Sequence, residues 1–197
     1  MPQIDRWVVR HTLRWLQQHA ADPGLAAHYS INLSGQSLSD SSFLEFILQE
    51  IDRAGVDPAR VSFEITETAA VTVSGNALQL MHTLRERGCR FLLDDFGSGW
   101  SSFAYLKNFP VDFLKIDGSL VRDIAHDILD EAMVRAINEI GHVLGIATIG
   151  EFVESEAILE RLRELGVDYA QGWATGRPAP ISAHLLTPAA AGRVEYA

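Results

Sequence analysis

Carboxylates, amides and one ammonium group recur toward the C-terminal ends of short apolar runs. They are Asn32, Glu64 with Glu67, Asp94 with Asp95, Lys115 with Asp117, Glu151 with Glu154, and Gln171. A charge in a strand core is costly unless it is paired or bound to a metal. Oxygen donors of this kind suit hard cations such as Mg²⁺ or Mn²⁺. Adjacent Asp94 and Asp95 point to opposite sides of a regular strand, but where a strand begins to turn both can reach a pair of metals. Two such metals activate a water and stabilise an in-line phosphoryl displacement. Lys115 would orient the nucleophile or neutralise developing charge. The Gly97-Ser98-Gly99 segment reads as a mobile loop or substrate lip.

These residues need a frame, and the chain alternates short β-rich runs with segments of helical period. The first helix carries Ile4, Trp7, Val8, His11, Leu13, Trp15 and Leu16 as a broad apolar stripe. Strands are predicted over 28–34, 61–67, 91–96, 113–117, 147–153 and 169–174. Helices are predicted over 43–54, 76–87, 101–108, 129–144 and 156–165, with Gly55, Gly88, Gly145 and Gly166 as stops. On the long helix, Leu129, Met133, Ile137, Ile140 and Leu144 share a face. Within strands, Val61, Phe63 and Ile65 oppose Ser62, Glu64 and Thr66, so one parity suits a layer of helices and the other a hydrated or metal-filled interior. Alternation without a linker implies parallel strands with crossover helices. Polar groups at the same end of strand after strand favour a (β/α)₈ barrel over an open sheet, whose site would sit at one switch point.

Composition is consistent with that frame. The 197 residues are 47% hydrophobic and 21% charged, enough to bury a core. With 16 Lys plus Arg against 26 Asp plus Glu, the net charge of -10 argues against a nucleic-acid polymer as partner. It leaves room for a small phosphorylated ligand, because bound metal supplies positive charge. The single Cys89 excludes an internal disulfide, and the seven His form no HExxH pattern. No apolar run has the length of a membrane helix, no membrane contact is expected of this segment, and the N-terminus does not read as a signal peptide.

Taken in order, the motifs Ile31-Asn32-Leu33-Ser34, Phe63-Glu64-Ile65-Thr66-Glu67, Asp94-Asp95-Phe96-Gly97-Ser98-Gly99, Leu114-Lys115-Ile116-Asp117, Glu151-Phe152-Val153-Glu154 and Gln171-Gly172 resemble those of the EAL domain, the bacterial cyclic-di-GMP phosphodiesterase module. Each is weak alone; their order, covering the chain from Ile4 to about Pro178, makes them specific. The resemblance implies a modified TIM barrel, two Mg²⁺ or Mn²⁺ ions, and hydrolysis of one phosphodiester bond of cyclic di-GMP to linear pGpG. It implies that Asn32, Glu64 and Asp94 ligate one metal and that Asp94, Asp95 and Glu151 serve the other. Lys115 would contact the attacking water, Glu67 would hold the loop from Gly97 to Ser102, and Gln171 would support the water or Glu151. Ser34, Asp117 and Arg177 would meet the substrate. It also implies a cytoplasmic setting, with upstream sensory or GGDEF domains in a parent protein.

Plainer roles stand beside these. Asp94-Asp95 read alone suits a strand-end turn, Asp117 equally suits pairing with Lys115 or a loop amide, Gln171 a satisfied interior amide, and Arg177 the surface. Glu154 is assigned to structure, the His and Cys89 are incidental, and Trp7, Trp15 and Phe46 are expected in the core. Ser98 replaces the family's usual Thr, Trp100 a common Tyr, and Gly150 and Phe152 flank Glu151 where Ala and Gly are usual. The Glu-Ala-Leu motif is absent, and six strands are counted where a barrel of about 250 residues has eight. The expectation is therefore a partial EAL domain over 1–187, lacking its first metal-binding strand, and a tail over 188–197. Catalysis is expected of the parent protein, with weak activity or none for this chain as written, because a metal site missing one carboxylate loses charge and geometry. Two alternatives to catalysis follow from that deficit: a non-catalytic cyclic-di-GMP receptor, or an interaction module whose exposed sheet edge forms a homodimer.

Overall fold

A computed structural model describes residues 1–22, 28–71, 75–99 and 103–181. The expected tail boundary at 187/188 and residues Trp100, Ser101 and Ser102 lie outside the described residues. The chain divides into two compact units, Met1–Phe91 and Leu92–Pro178, whose boundary falls inside one strand.

The first unit holds α1 (Pro2–Gln18), β1 (Tyr29–Asn32), α2 (Gly35–Leu38), α3 (Phe43–Ala54), a 3₁₀ turn (Pro58–Arg60), β2 (Val61–Thr66), α4 (Glu67–Val71) and α5 (Gly75–Glu86). β1 and β2 are parallel, with Ile31 beside Phe63 and Asn32 beside Glu64. β2 is buried on both parities up to Ile65, and only Thr66 is half-exposed. Phe43, Ile47, Val61, Phe63, Ile65, Met81, Leu84 and Phe91 are fully buried. Each contributes about 1.5–3 kcal/mol of transfer free energy.

The stripe expected on α1 is corrected. Its buried face is Asp5, Val9, Leu13 and Leu16, while Ile4 and Trp7 are more than half exposed. Trp7 stacks on His11 at 3.8 Å on the outer side, and Trp15 is only half-buried. Phe46 is buried as expected. A polar residue can head the seam because Asp5 Oδ2 accepts from Ser34 N (2.9 Å), Ser34 Oγ (2.6 Å) and Ser37 Oγ (2.6 Å). Those bonds offset the desolvation of the carboxylate.

The second unit holds β3, which begins at the boundary and spans Arg90–Phe96, then α6 (Phe103–Leu106), β4 (Phe113–Ile116), α7 (Gly118–Val121), α8 (Ile128–Leu144), β5 (Ala147–Gly150), α9 (Glu156–Leu165) and β6 (Tyr169–Ala170). Parallel pairs join β3 to β4, β4 to β5 and β5 to β6. The seam on α8 is also corrected. Val134, Ile137, Asn138 and Gly141 are buried, whereas Leu129, Met133 and Leu144 are exposed. Asn138 accepts from Thr148 Oγ1 at 2.5 Å and donates to the Leu165 carbonyl at 3.1 Å. A Cβ at Gly141 would meet Thr148 Cγ2 at 3.0 Å, so the helix lies close to β5. An amide and a glycine therefore share the buried seam of α8 with Val134 and Ile137, and Leu129, Met133 and Leu144 are left exposed.

Strand ends fall short of those expected. β2 stops at Thr66 and Glu67 opens α4. β4 stops at Ile116, and Asp117 caps α7 by accepting from Ser119 N. β5 stops at Gly150 and β6 at Ala170. In each case the chain turns at the functional side chain, and alternation cannot show that in advance.

Candidate active site

Lys115 lies on β4 and is buried at 3% exposure, an expensive place for an ammonium group. Its Nζ stands 2.8 Å from Asp94 Oδ1 and 2.7 Å from Glu151 Oε1. Asp94 comes from β3, and Glu151 follows β5 directly. Three consecutive parallel strands thus bring their carboxyl ends to one ammonium group. Asp94, Asp95 and Glu151 each offer an oxygen within 4.8 Å of the others, a cluster able to hold a metal ion.

Two local distortions build it. Leu93 pairs with Leu114 and Phe96 with Ile116, so β3 carries one residue more than β4 across that stretch. The extra residue is a β-bulge, with Asp95 in the left-handed region at φ 58°. The bulge lets both adjacent aspartates offer an oxygen to the cluster with Glu151. After β5, Phe152 takes φ 52° immediately beyond Glu151. These are the only non-glycine residues with positive φ among those described, and each follows a carboxylate that binds Lys115.

Electrostatics match the crowding. Burial, joined by the charges of Asp94 and Asp95, pushes the Glu151 carboxyl up to about 7 against the pull of Lys115. Burial, Asp94 and Asp117 likewise raise the Asp95 carboxyl, again opposed by Lys115. Three carboxylates around one ammonium leave excess negative charge in a partly dry place. An all-oxygen donor set of that charge fits a hard divalent cation.

The remaining site candidates are placed as follows. In the first unit, Asn32 and Glu64 face each other in register across β1 and β2, Asn32 exposed and Glu64 buried. Glu67 is buried at the start of α4. The Ser34 hydroxyl caps α2 and donates to Asp5. In the second unit, Asp117 caps α7, Gln171 is exposed, and Arg177 lies over the Trp173 ring at 5.2 Å. The Gln171 backbone is bonded on both sides: its N–H donates to the Gly150 carbonyl and its carbonyl accepts from Val153 N. Glu154 is exposed. The Cys89 thiol is buried, and burial pushes it up to about 11, which disfavours the nucleophilic thiolate.

The EAL domain model matches residues 1–178 of the chain. The chain belongs to the EAL domain family. This EAL chain is 40% identical over 191 residues to the cyclic di-GMP phosphodiesterase PdeB of Shewanella oneidensis, covering 93% of itself and 21% of that protein. It is 37% identical to the cyclic di-GMP phosphodiesterase PdeF of Escherichia coli K12, covering 90% of itself and 24% of that protein. It thus spans between a fifth and a quarter of the length of these relatives. Among solved structures it resembles the phosphodiesterase PaMucR in complex with c-di-GMP, with a TM-score of 0.83, 32% identity, and coverage of 92% of this chain and 73% of that one. The fold is that of the EAL domain, a modified TIM barrel, with six parallel strands among the described residues.

Sequence reasoning missed three features of this EAL chain: the Asp5 seat for Ser34 and Ser37, the bulge at Asp95, and the contacts of Phe152. Nothing in the local pattern sets Asp5 apart from an ordinary acid in the first turn of a helix. Phe152 stands out in the sequence only as a departure from the family's usual Gly, and its contacts with Gly118 and Arg122 are not legible there.

Proposed function

We propose that this chain belongs to a parent protein that hydrolyses one phosphodiester bond of cyclic di-GMP, giving linear pGpG, with two Mg²⁺ or Mn²⁺ ions, and that the chain by itself turns over slowly. The observation that carries this reading is the convergence of Asp94, Asp95 and Glu151 on the buried Lys115 at the ends of three parallel strands. The names of PdeB and PdeF, and the c-di-GMP held by PaMucR, support the choice of substrate. In this reading Asp94, Asp95 and Glu151 hold one cation, and the family resemblance assigns Asn32 and Glu64 to a second. Divalent cations held there would supply positive charge against phosphate oxygens and acidify a water.

The chain's own groups do the rest. Lys115 keeps Asp94 and Glu151 aimed inward and places its charge where negative charge develops on the phosphate. Asp95 supplies a second carboxylate beside Asp94. Gln171 supports Glu151, and Asp117 and Arg177 meet the substrate, while the family resemblance gives Glu67 a loop-holding role and Ser34 a substrate contact.

The test is incubation of the chain with cyclic di-GMP and Mn²⁺, followed by chromatography for pGpG. Accumulation of pGpG, abolished in Asp95→Ala, is expected. Binding of cyclic di-GMP without turnover, unchanged in Asp95→Ala, would replace the phosphodiesterase with a receptor.

A further inference from the structure

Phe152 combines two properties that rarely occur together. It is a bulky residue at φ 52°, and it lies directly beside Glu151, a carboxylate of the candidate metal cluster. A strained backbone persists only where the surroundings over-determine it. Here the surroundings are Gly118 and Arg122. The register that pairs Ile116 with Gly150 leads two residues further to Gly118 and Phe152. The Phe152 ring lies over Gly118: a Cβ added there would stand 2.2 Å from Phe152 Cδ2 and 2.6 Å from Cγ. Arg122, one turn further along, sets its guanidinium 4.4 Å from the centre of the same ring. The ring, still 44% exposed, therefore lies against a notch only glycine can leave open, with a cation above its face.

The residues on either side of Phe152 are also tied. Glu151 N donates to the Ile116 carbonyl at 3.2 Å, and Val153 N donates to the Gln171 carbonyl at 3.1 Å. With both flanks tied, Phe152 is the residue between them at which the backbone takes positive φ. The same α7 segment follows Lys115 and Asp117, so the clamp joins the loop bearing Glu151 to the strand bearing its ammonium partner.

We propose that Phe152, seated on Gly118 and covered by Arg122, is a positioning residue that aims the Glu151 carboxylate into the metal site. The proposal rests on the phosphodiesterase reading above, and it concerns this chain's own Phe where the family's usual residue is Gly. It makes the need for glycine at 118 conditional on the ring at 152.

The experiment is a double-mutant cycle on Gly118→Ala and Phe152→Gly, read as Mn²⁺ affinity from the electron-paramagnetic-resonance signal of free Mn²⁺. Turnover is followed in parallel by pGpG chromatography, and folding by thermal melting. Gly118→Ala is expected to weaken Mn²⁺ binding tenfold or more, in the range that supporting residues of metal ligands show. Phe152→Gly relieves the strain but frees the loop, and a loss of several-fold is expected. In the Phe152→Gly background, Gly118→Ala should then change affinity by less than twofold. Phe152→Tyr, which keeps the ring, should stay within twofold of the natural chain. At saturating Mn²⁺ the single variants should recover most of their turnover. Equal loss from Gly118→Ala in both backgrounds, or no loss at all, would overturn the proposal. Coupled Mn²⁺ affinities without pGpG would leave the positioning role standing and sink the substrate reading. A natural chain that turns over while Gly118→Ala binds Mn²⁺ normally would do the reverse. Absence of Mn²⁺ binding by the natural chain would overturn both.

Discussion

Lys115 holds two carboxylates with one charge, and all three groups are largely withdrawn from water. Removing one member of such a set leaves uncompensated buried charge. Lys115→Met should therefore destabilise the metal-free chain by about 3–5 kcal/mol in urea denaturation. Adding Mn²⁺ should recover much of that loss, because a cation then balances the same oxygens. Turnover should remain at least about a hundredfold down even at saturating Mn²⁺, the scale of losing a preorganised charge. Glu151 predicts a pH dependence. Its carboxyl sits at about 7 in the folded chain against an ordinary 4.5, so the folded chain holds an extra proton between those values. Stability of the metal-free chain from this group is then highest below 4.5 and falls as pH rises to about 7. Metal binding runs the other way, since a protonated carboxyl cannot ligate. Mn²⁺ affinity should rise up to about tenfold per pH unit toward 7 and level off above it. Glu151→Gln should flatten both profiles, as read by melting and by Mn²⁺ titration.

At the scale of elements, rotation and strand ends matter more than element type. α3 and α9 occupy the expected spans Phe43–Ala54 and Glu156–Leu165, because their apolar spacing and glycine stops agree. α1 and α8 form where expected and bury Leu13, Leu16 and Ile137, but Ile4, Trp7, Leu129, Met133 and Leu144 stay exposed because polar residues share the buried face. On α8, Asn138 binds both Thr148 and the Leu165 carbonyl, so Asn138→Leu should cost about 2–3 kcal/mol by leaving those groups without it. Leu129→Ser, on the face the apolar pattern favours but the fold leaves exposed, should cost less than about 0.5 kcal/mol. Urea denaturation of the two variants checks the seam, and a larger loss at Leu129 would contradict it. The bulge in β3 is also an element-scale feature. Alternation puts Asp94 and Asp95 on opposite faces, and one extra residue opposite β4 with a left-handed Asp95 brings both to one site.

At the scale of the whole chain, the net charge of -10 includes carboxylates concentrated at one strand end, and a cation that binds only there stabilises the folded state by mass action. Mn²⁺ at a hundred times its Kd should contribute about 2.7 kcal/mol. For a chain of this length that raises Tm by roughly 5–10 °C. A chelator should reverse the rise, and Asp94→Ala with Asp95→Ala should abolish it in a calorimetric scan. Much of this chain was legible beforehand. The βα order, the six strands, the glycine stops and the grouping of Asp94, Asp95, Lys115 and Glu151 follow from local pattern and from the cost of charge in a strand, both written in neighbouring residues. Tertiary structure alone decided which face of α1 and α8 is buried, where β3 bulges, and that Phe152 needs Gly118. Each of those depends on a partner distant in sequence: Ser34 for Asp5, Thr148 for Asn138, β4 for the bulge, α7 for the ring. Periodicity records what a residue is, but the free energy of a close contact depends on what the folded chain places against it.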